Sequence, residues 1–455
     1  VSPAEPLGLA EQALTFLDGD GQATVTRERS LMLRYARSEP TQATEIDDSS
    51  VHFLSLRDGH LGAAETNVVT DEALRDAAGR ATAAAEAAAR AAGAAGDYPG
   101  LPDPPVAYRA HDGFDPTTAR IDPAPGGAAL AAAFAVARER GLEAFGTWTC
   151  GAVDTAIASS AGIRALDRVT DAFMKVVCRD ERGRSGWDAQ AAVGVSGIDP
   201  EAGARRAAAK VTSEEPAELA PGTYPVVLDA DAVGSLLEML GWLAFNGLMH
   251  AEGRGALDRR LGTRVAASAI NLSDSPRYPR TWPRAFDFEG VPKAPLPLIQ
   301  DGIAHAVVHD SRSAARTGGG ARSTGHALAP GGHPHGPAPT NLVLIGGGAA
   351  DVAELAAPVE RGIYVTRLWY LNVVHPKQTL LTGTTRDGTF LIEDGKIARP
   401  LRDVRFTDSV LRILEATEAL ASTPRLVSEA EYYGRRFASG TVCPALRAHG
   451  FRITG

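Results

Sequence analysis

Cysteine is nearly absent from this chain: Cys150, Cys178 and Cys443 are the only three in 455 residues, odd in number and far apart. No C-x-x-C pair exists, so neither a disulfide framework nor a cysteine-built structural zinc site is implied, and a reducing cytoplasm is the expected compartment. Positive charge is also in short supply. A formal net charge of −9 argues against nonspecific binding to nucleic acid, which needs a basic surface to neutralise phosphates. The short basic run Arg205, Arg206 and Lys210 reads as a solvated helix face. Long apolar runs are missing as well. The best window, Ala232 to Met249, is interrupted by Glu238 and Asn246, so a buried amphipathic helix is expected there and no membrane contact. The first twenty residues lack a basic stretch followed by an apolar one, and no signal peptide is expected.

What is present is the composition of a folded protein, 44% apolar and 22% charged, at a length that favours two or three domains. Pro6 to Leu17 has helical spacing, Ala23 to Ala36 alternates like a strand, and Val51 to Leu56 continues as a strand before the Asp58-Gly59 turn. Asp71 to Ala95 predicts an Ala-rich helix with an acidic first turn. A second helix over Ala128–Arg140 precedes two strand-like runs, Glu143 to Cys150 and Val153 to Ser160, with a turn expected at Gly151. Further strands over Val169–Cys178 and Trp187–Val195 and a helix over Ile198–Lys210 complete an expected α+β half. Its economical form is an antiparallel sheet with helices on one face. Leu219 to Thr223 is the expected boundary, giving domains at 1–220 and 221–455. After Arg264 short strand runs separated by Gly, Pro and Asn predict a strand-rich, barrel-like second domain. The stretch Gly318 to Pro339 is expected to be a mobile surface loop.

The segment Leu240 to Leu261 is most informative for what it lacks. A zinc helix of the H-E-x-x-H kind needs two imidazoles about one turn apart with a Glu between them as base. The expected helix, about 231–256, carries His250, but Ala251 stands in the Glu position. Arg254 and Gly255 occupy the places of a second His, and an Arg there is electrostatically hostile to Zn²⁺. Glu252 completes this degenerate site. No catalytic or metal-binding residue is therefore expected in the chain.

Other candidates are weaker. His305 and His309 have metal-like spacing, but on an expected strand they stand about 13 Å apart. His326, His333 and His335 crowd the glycine-rich stretch and read as surface histidines, with partner or substrate contact as the functional alternative. Gly346 to Gly348 fit no dinucleotide or P-loop spacing and read as a tight turn. Asp287 and Glu289 read as turn anchors rather than an acid–base pair, and Ser196 as a turn residue. Arg386 and Asp387 form an Asp-Gly turn between two strands, with contact to a peptide as the alternative role.

Several blocks taken in order resemble the TldD/PmbA metallopeptidase family: ASSAGIRA (Ala158 to Ala165), YPVVLDADAVGSLLEML (Tyr224 to Leu240), FDFEGVP (Phe286 to Pro292) with LIQDG (Leu298 to Gly302), GIYVTRLW (Gly362 to Trp369) and TGTTRDGTFLIEDGKIARP (Thr382 to Pro400). The family's two related subunits, TldD and TldE (PmbA), differ at the helix just described. TldD-like members carry H-E-x-x-x-H completed by a Cys nearer the C-terminus, and TldE-like members lack it. Here His250 keeps the first position, while Ala251 and Gly255 replace the Glu and the second His. Cys443 has no pair of His partners. The resemblance implies a TldE-like subunit of a cytoplasmic heteromeric peptidase, acting on unfolded peptides or peptide precursors, with the zinc supplied by a TldD-like partner. Two rival readings remain at this point: a stand-alone binding or regulatory protein, and a natural-product hydrolase with a repurposed site around His250 and Glu252.

Overall fold

The computed structural model describes residues 5–92, 95–428 and 435–455. Period-2 alternation produces the first sheet. Strands β1 (Gly21–Ala36), β2 (Glu39–Arg57), β3 (His60–Thr66), β4 (Glu143–Ser159), β5 (Arg164–Arg179) and β6 (Ser185–Ala192) pair antiparallel in the order β3-β2-β1-β4-β5-β6. Ala23, Val25, Leu31 and Tyr35 of β1 share a face with Ala144, Trp148, Ala156 and Ala158 of β4. Four helices cover that apolar face: α1 (Pro6–Leu14) and α2 (Asp71–Ala92) over one end, α3 (Ala124–Glu139) and α4 (Pro200–Ala209) over the other. The buried stripe of α2, Leu74, Ala77, Ala78, Ala81 and Ala85, follows helical spacing. Of the expected helix to Ala95, positions 93 and 94 lie outside the described residues, and Ala95 itself is not helical.

The opposite face of the same sheet is polar and equally buried. Gln22, Thr24, Thr26 and Ser30 of β1 lie on it beside Thr149 and Thr155 of β4 and Asp167 and Asp171 of β5. The second half of the chain covers this face. It holds a nine-stranded sheet in which β7 (Gly222–Leu228) lies between Arg361–Val365 and Leu446–Ile453, and a six-stranded sheet in which Asn341–Leu344 pairs with Leu272–Asp274 and Gly440–Cys443. The α+β class is as expected. Neither C-terminal sheet, however, closes into a barrel among the described residues. Helix α5 (Ala230–Ala244), buried nearly all round, packs against strands of both sheets in one apolar core and fills the space between them.

Three local expectations change. Gly151 is not a turn, because β4 runs unbroken through it. A β-carbon there would fall 2.2 Å from Nε of Arg436, so glycine is needed for the close approach of a guanidinium, not for a bend. The expected strand from Gly302 to His309 shrinks to Ile303–Ala304, and His305 is exposed while His309 is buried, so the two do not share a face. The stretch 318–339 is not a free surface loop: Gly325 to Ala327 and Gly336 to Ala338 are buried. Gly325 to Ala327 pack against Pro292, Lys293 and Asp287, and Gly336 packs against Asn246 and Leu248.

Arg436 is the deepest link across the two halves. It donates to Asp171 through Nε at 2.9 Å and Nη2 at 2.6 Å and to Thr149 Oγ1 at 3.0 Å, with both charged partners at most 2% exposed. Breaking a buried, hydrogen-bonded ion pair strands the remaining charge. Gly151→Val, which displaces the guanidinium without removing it, is predicted to cost about 3 kcal/mol or more in urea unfolding. Gly79→Ala, at an exposed site in the middle of α2 with nothing within 4 Å, should instead gain up to about 1 kcal/mol. Similar stability for both variants would contradict this account.

Candidate functional site

The segment around His250 is two helices, not one. Helix α5 ends at Ala244, and Asn246 caps a separate short helix α6 (Gly247–Ala251) by accepting from the backbone N–H groups of Leu248 and Met249 at 3.0 Å each. The break is set by the side chain of Asn246, whose Nδ2 donates to the His335 carbonyl at 2.6 Å, while Gly247 N donates to the Val308 carbonyl at 2.9 Å. These bonds pull the chain off the α5 axis.

His250 lies in α6, half-buried, with a buried Nδ1 that has no hydrogen-bond partner among the described residues. Ala251 offers no base. Glu252 accepts from Arg316 Nη1 at 2.7 Å and from the Arg254 guanidinium, so its charge is already answered by two arginines. Arg316 continues the chain of charges to Asp97. Gly255 is held against the turn before it, and a β-carbon there would lie 3.3 Å from His250 N and 3.4 Å from its Cα. Cys443 donates its thiol to the Ala230 carbonyl at 3.2 Å, at the far end of α5. The 15 residues of that helix, about 22 Å long at 1.5 Å per residue, separate the thiol from α6. Zinc does not fit these residues: one imidazole, a carboxylate tied to two arginines and a remote thiol cannot close on one ion. Among the described residues no other group of three His, Cys, Asp or Glu side chains is placed to hold a metal.

The remaining histidines fall into different environments. His309 lies against Gly247, with Nδ1 3.2 Å from Ser313 Oγ. Burial and the neighbouring His250 push it down to about 4. His326, expected on the surface, is fully buried. Its Nε2 lies 3.2 Å from Asp274 Oδ1, beside Lys293 Nζ at 3.6 Å from the same oxygen. Asp274 Oδ2 accepts the backbone N–H groups of Thr340 and Asn341 at 2.7 and 2.8 Å. Burial raises this carboxyl, but Lys293 and His326 more than reverse that and hold it well below the usual carboxylate range. His333 lies edge-on to Trp242 and tilted against His335, with centroids 6.4 and 5.3 Å away. His335 itself is exposed.

Asp287 anchors a turn, accepting from the N–H groups of Glu289, Val291 and Ala327 at 2.8 to 3.0 Å. Glu289 is buried between three segments and accepts from Tyr98 OH at 3.1 Å and from Ser311 N and Oγ at 2.9 and 2.7 Å. Asp387 is buried in a left-handed turn and takes Ser185 Oγ of β6 at 2.6 Å and Arg367 Nη1 at 2.9 Å. Arg386 stays exposed over Trp369. Asp351 after the Gly346–Gly348 turn caps the next helix by accepting from Glu354 N.

Residues 221–455 match the sequence model of the PmbA/TldA metallopeptidase C-terminal domain, and residues 23–85 match that of PmbA/TldA metallopeptidase domain 1. The chain belongs to the PmbA/TldD metallopeptidase family. A metalloprotease of Synechocystis is 28% identical over 202 residues, 44% of this chain and 42% of that protein. A metalloprotease TldD homologue of Haemophilus influenzae is 25% identical over 245 residues, 51% of this chain and 48% of that protein. The matched stretch thus spans less than half the length of these curated relatives. The fold is that of TldE from Thermococcus kodakarensis, with TM-score 0.84, 20% identity and coverage of 98% and 99% of the two chains. A Thermotoga maritima protein described as a candidate modulator of a DNA gyrase matches at TM-score 0.81 and 19% identity over 96% of each chain. No helix among the described residues is long and apolar enough to cross a membrane.

Within this family fold the sequence singled out the α6 residues by number, but not the Asp274–Lys293–His326 cluster or the Arg436–Asp171 pair. Those partners lie 19 or more positions apart and share no spacing rule. Arg206 and Lys210, read as a solvated face, instead tie α4 to β6: Arg206 grips Asp188 at 2.8 Å and Lys210 donates to the Trp187 carbonyl at 2.6 Å.

Burial and the nearby Asp287 charge push Glu289 up to about 8, from an ordinary value of 4.5. The folded state therefore favours the protonated acid. The stability this group contributes is complete below about pH 4.5 and is lost as pH rises through about 8. Glu289→Gln should gain stability relative to the unsubstituted protein between pH 5 and pH 9, measured as the difference of thermal midpoints. A difference that stays constant over that range would contradict the assignment.

Proposed function

We propose that this chain is a TldE-like, non-catalytic subunit of a heteromeric zinc peptidase in the cytoplasm. In this reading it shapes the chamber through which unfolded peptides or peptide precursors reach a TldD-like partner that carries the zinc. The observation that supports it most directly is α6: Ala251 and Gly255 stand where the family's motif needs Glu and His, and Glu252 is bound by Arg254 and Arg316. The TldE fold likeness and the matched family segments agree with it. Under the same proposal the chain divides at about 220/221, with residues 1–220 and 221–455 as its two domains, and the buried polar seam between them fixes the shape of the chamber wall. The exposed ends, including Arg386 and His335, are free to meet a partner or a peptide.

The purified chain should hold well under one zinc per molecule by elemental analysis and cleave no unfolded peptide. Peptidase activity should appear on mixing with a TldD-like subunit and vanish when that subunit's zinc motif is substituted. One tightly held zinc per chain, or cleavage by this chain alone that is lost in His250→Ala, would overturn the proposal in favour of the repurposed-hydrolase reading.

A further inference from the structure

One face of α5 borders a cavity. Glu238, Gly241 and Trp242 stand three and four positions apart, so they share that face, and all three line a pocket of about 440 Å³. The opposite wall comes from the parallel strands Asn341–Leu344 and Gly440–Cys443, through Leu342 and Thr441, which are register partners. A β-carbon at Gly241 would already touch Pro339 Cδ and Leu342 Cδ1, 3.5 and 3.6 Å away, so glycine keeps the helix side clear. The volume is that of a small-molecule site, and most of the lining residues are apolar.

The polar groups of this pocket all favour a donor of positive charge. Among the described residues it is lined by no Lys or Arg and by one carboxylate, that of the exposed Glu238. Thr340 Oγ1 donates to Asn341 Oδ1 at 3.2 Å and Ser428 Oγ to the Ser439 carbonyl at 3.0 Å. Both hydroxyls thus direct their protons into the protein and keep lone pairs as acceptors. Burial and the neighbouring His335 hold His333 below its ordinary value, so its imidazole is neutral at pH 7. Of the two aromatic rings in the lining, Phe437 already carries the Arg284 guanidinium 3.9 Å from its centroid. Trp242, half-buried, offers the better face for a second cation. An ammonium group has three donors and no acceptor, and these groups suit it, whereas an anion would meet the charge of Glu238.

We propose that this pocket binds an organic cation, a primary ammonium group on an apolar stem or ring, with the ammonium between Glu238 and the Trp242 ring and the apolar part against Leu342 and Leu328. The ammonium belongs either to a lysine-like side chain or to an α-amino group. The site needs neither zinc nor a partner subunit and does not rest on the function proposed above, so failure of either leaves the other standing.

Titration calorimetry of the full chain at pH 7 should show phenethylamine binding at least about tenfold tighter than phenethyl alcohol, its uncharged counterpart. Glu238→Gln should bring the two within about twofold of each other. Since Glu238 is exposed, this variant should retain the unsubstituted thermal midpoint. Trp242→Leu should weaken the amine at least about fivefold, and Trp242→Phe should keep part of its binding. Nα-acetyl-lysine amide and phenylalanine amide separate the two sources of the ammonium, the tighter binder naming the one the pocket takes. Amine binding no tighter than that of the alcohol, no amine binding at millimolar concentration, or a preference undiminished in Glu238→Gln would overturn the proposal.

Discussion

The inner face of the N-terminal sheet carries Gln22, Thr24, Thr26, Thr149, Asp167 and Asp171, all buried, and buried polar groups are costly unless each finds a partner. Apolar packing cannot supply those partners. The second half of the chain does: Gln22 donates to the Phe288 carbonyl, Ala285 N donates to Asp167, and Arg436 fills the gap left by Gly151 to reach Asp171. This one requirement fixes how the two halves meet. It also explains why the segments 285–293 and 325–327, which look like loops, are among the most buried irregular stretches of the chain.

The same packing decides the fate of the helix at His250. Asn246 ties the break after α5 to the buried glycine-rich stretch through the His335 carbonyl, so α6 is a short, capped turn aimed at His309 and α7 (Ser311–Thr317) rather than a straight continuation. With Glu252 drawn off by two arginines and Gly255 folded against His250, the place where a zinc peptidase of this family would do chemistry has become a structural corner. Under the proposed function, access rather than bond cleavage is what such a corner leaves the chain to control.

The strands and helices of the first half were legible because their signals are local and periodic, as in the alternation of Ala23–Ala36 and the alanine stripe of α2. The departure from the zinc pattern at Ala251 and Gly255 is a feature of the sequence itself, since it depends on spacing along one segment. The readings that failed all concern pairings far apart in sequence. Nothing near Gly151 announces that Arg436 will lie on it, and a stretch such as GGGARSTGHALAPGGHPHGPAP has surface composition. Yet His326 is buried because Asp274, 52 positions away, needs a counter-charge in the interior. The strand-rich second half is as expected, and its sheets stay open among the described residues because α5 packs between them.

The central proposal is that the chemistry belongs to a TldD-like partner and not to this chain. Anomalous diffraction at the zinc edge, from crystals of this chain copurified with a TldD-like partner, tests it in one measurement. The account predicts one zinc peak per pair, within the partner and remote from His250. A peak at His250, coordinated by residues of this chain, would contradict it.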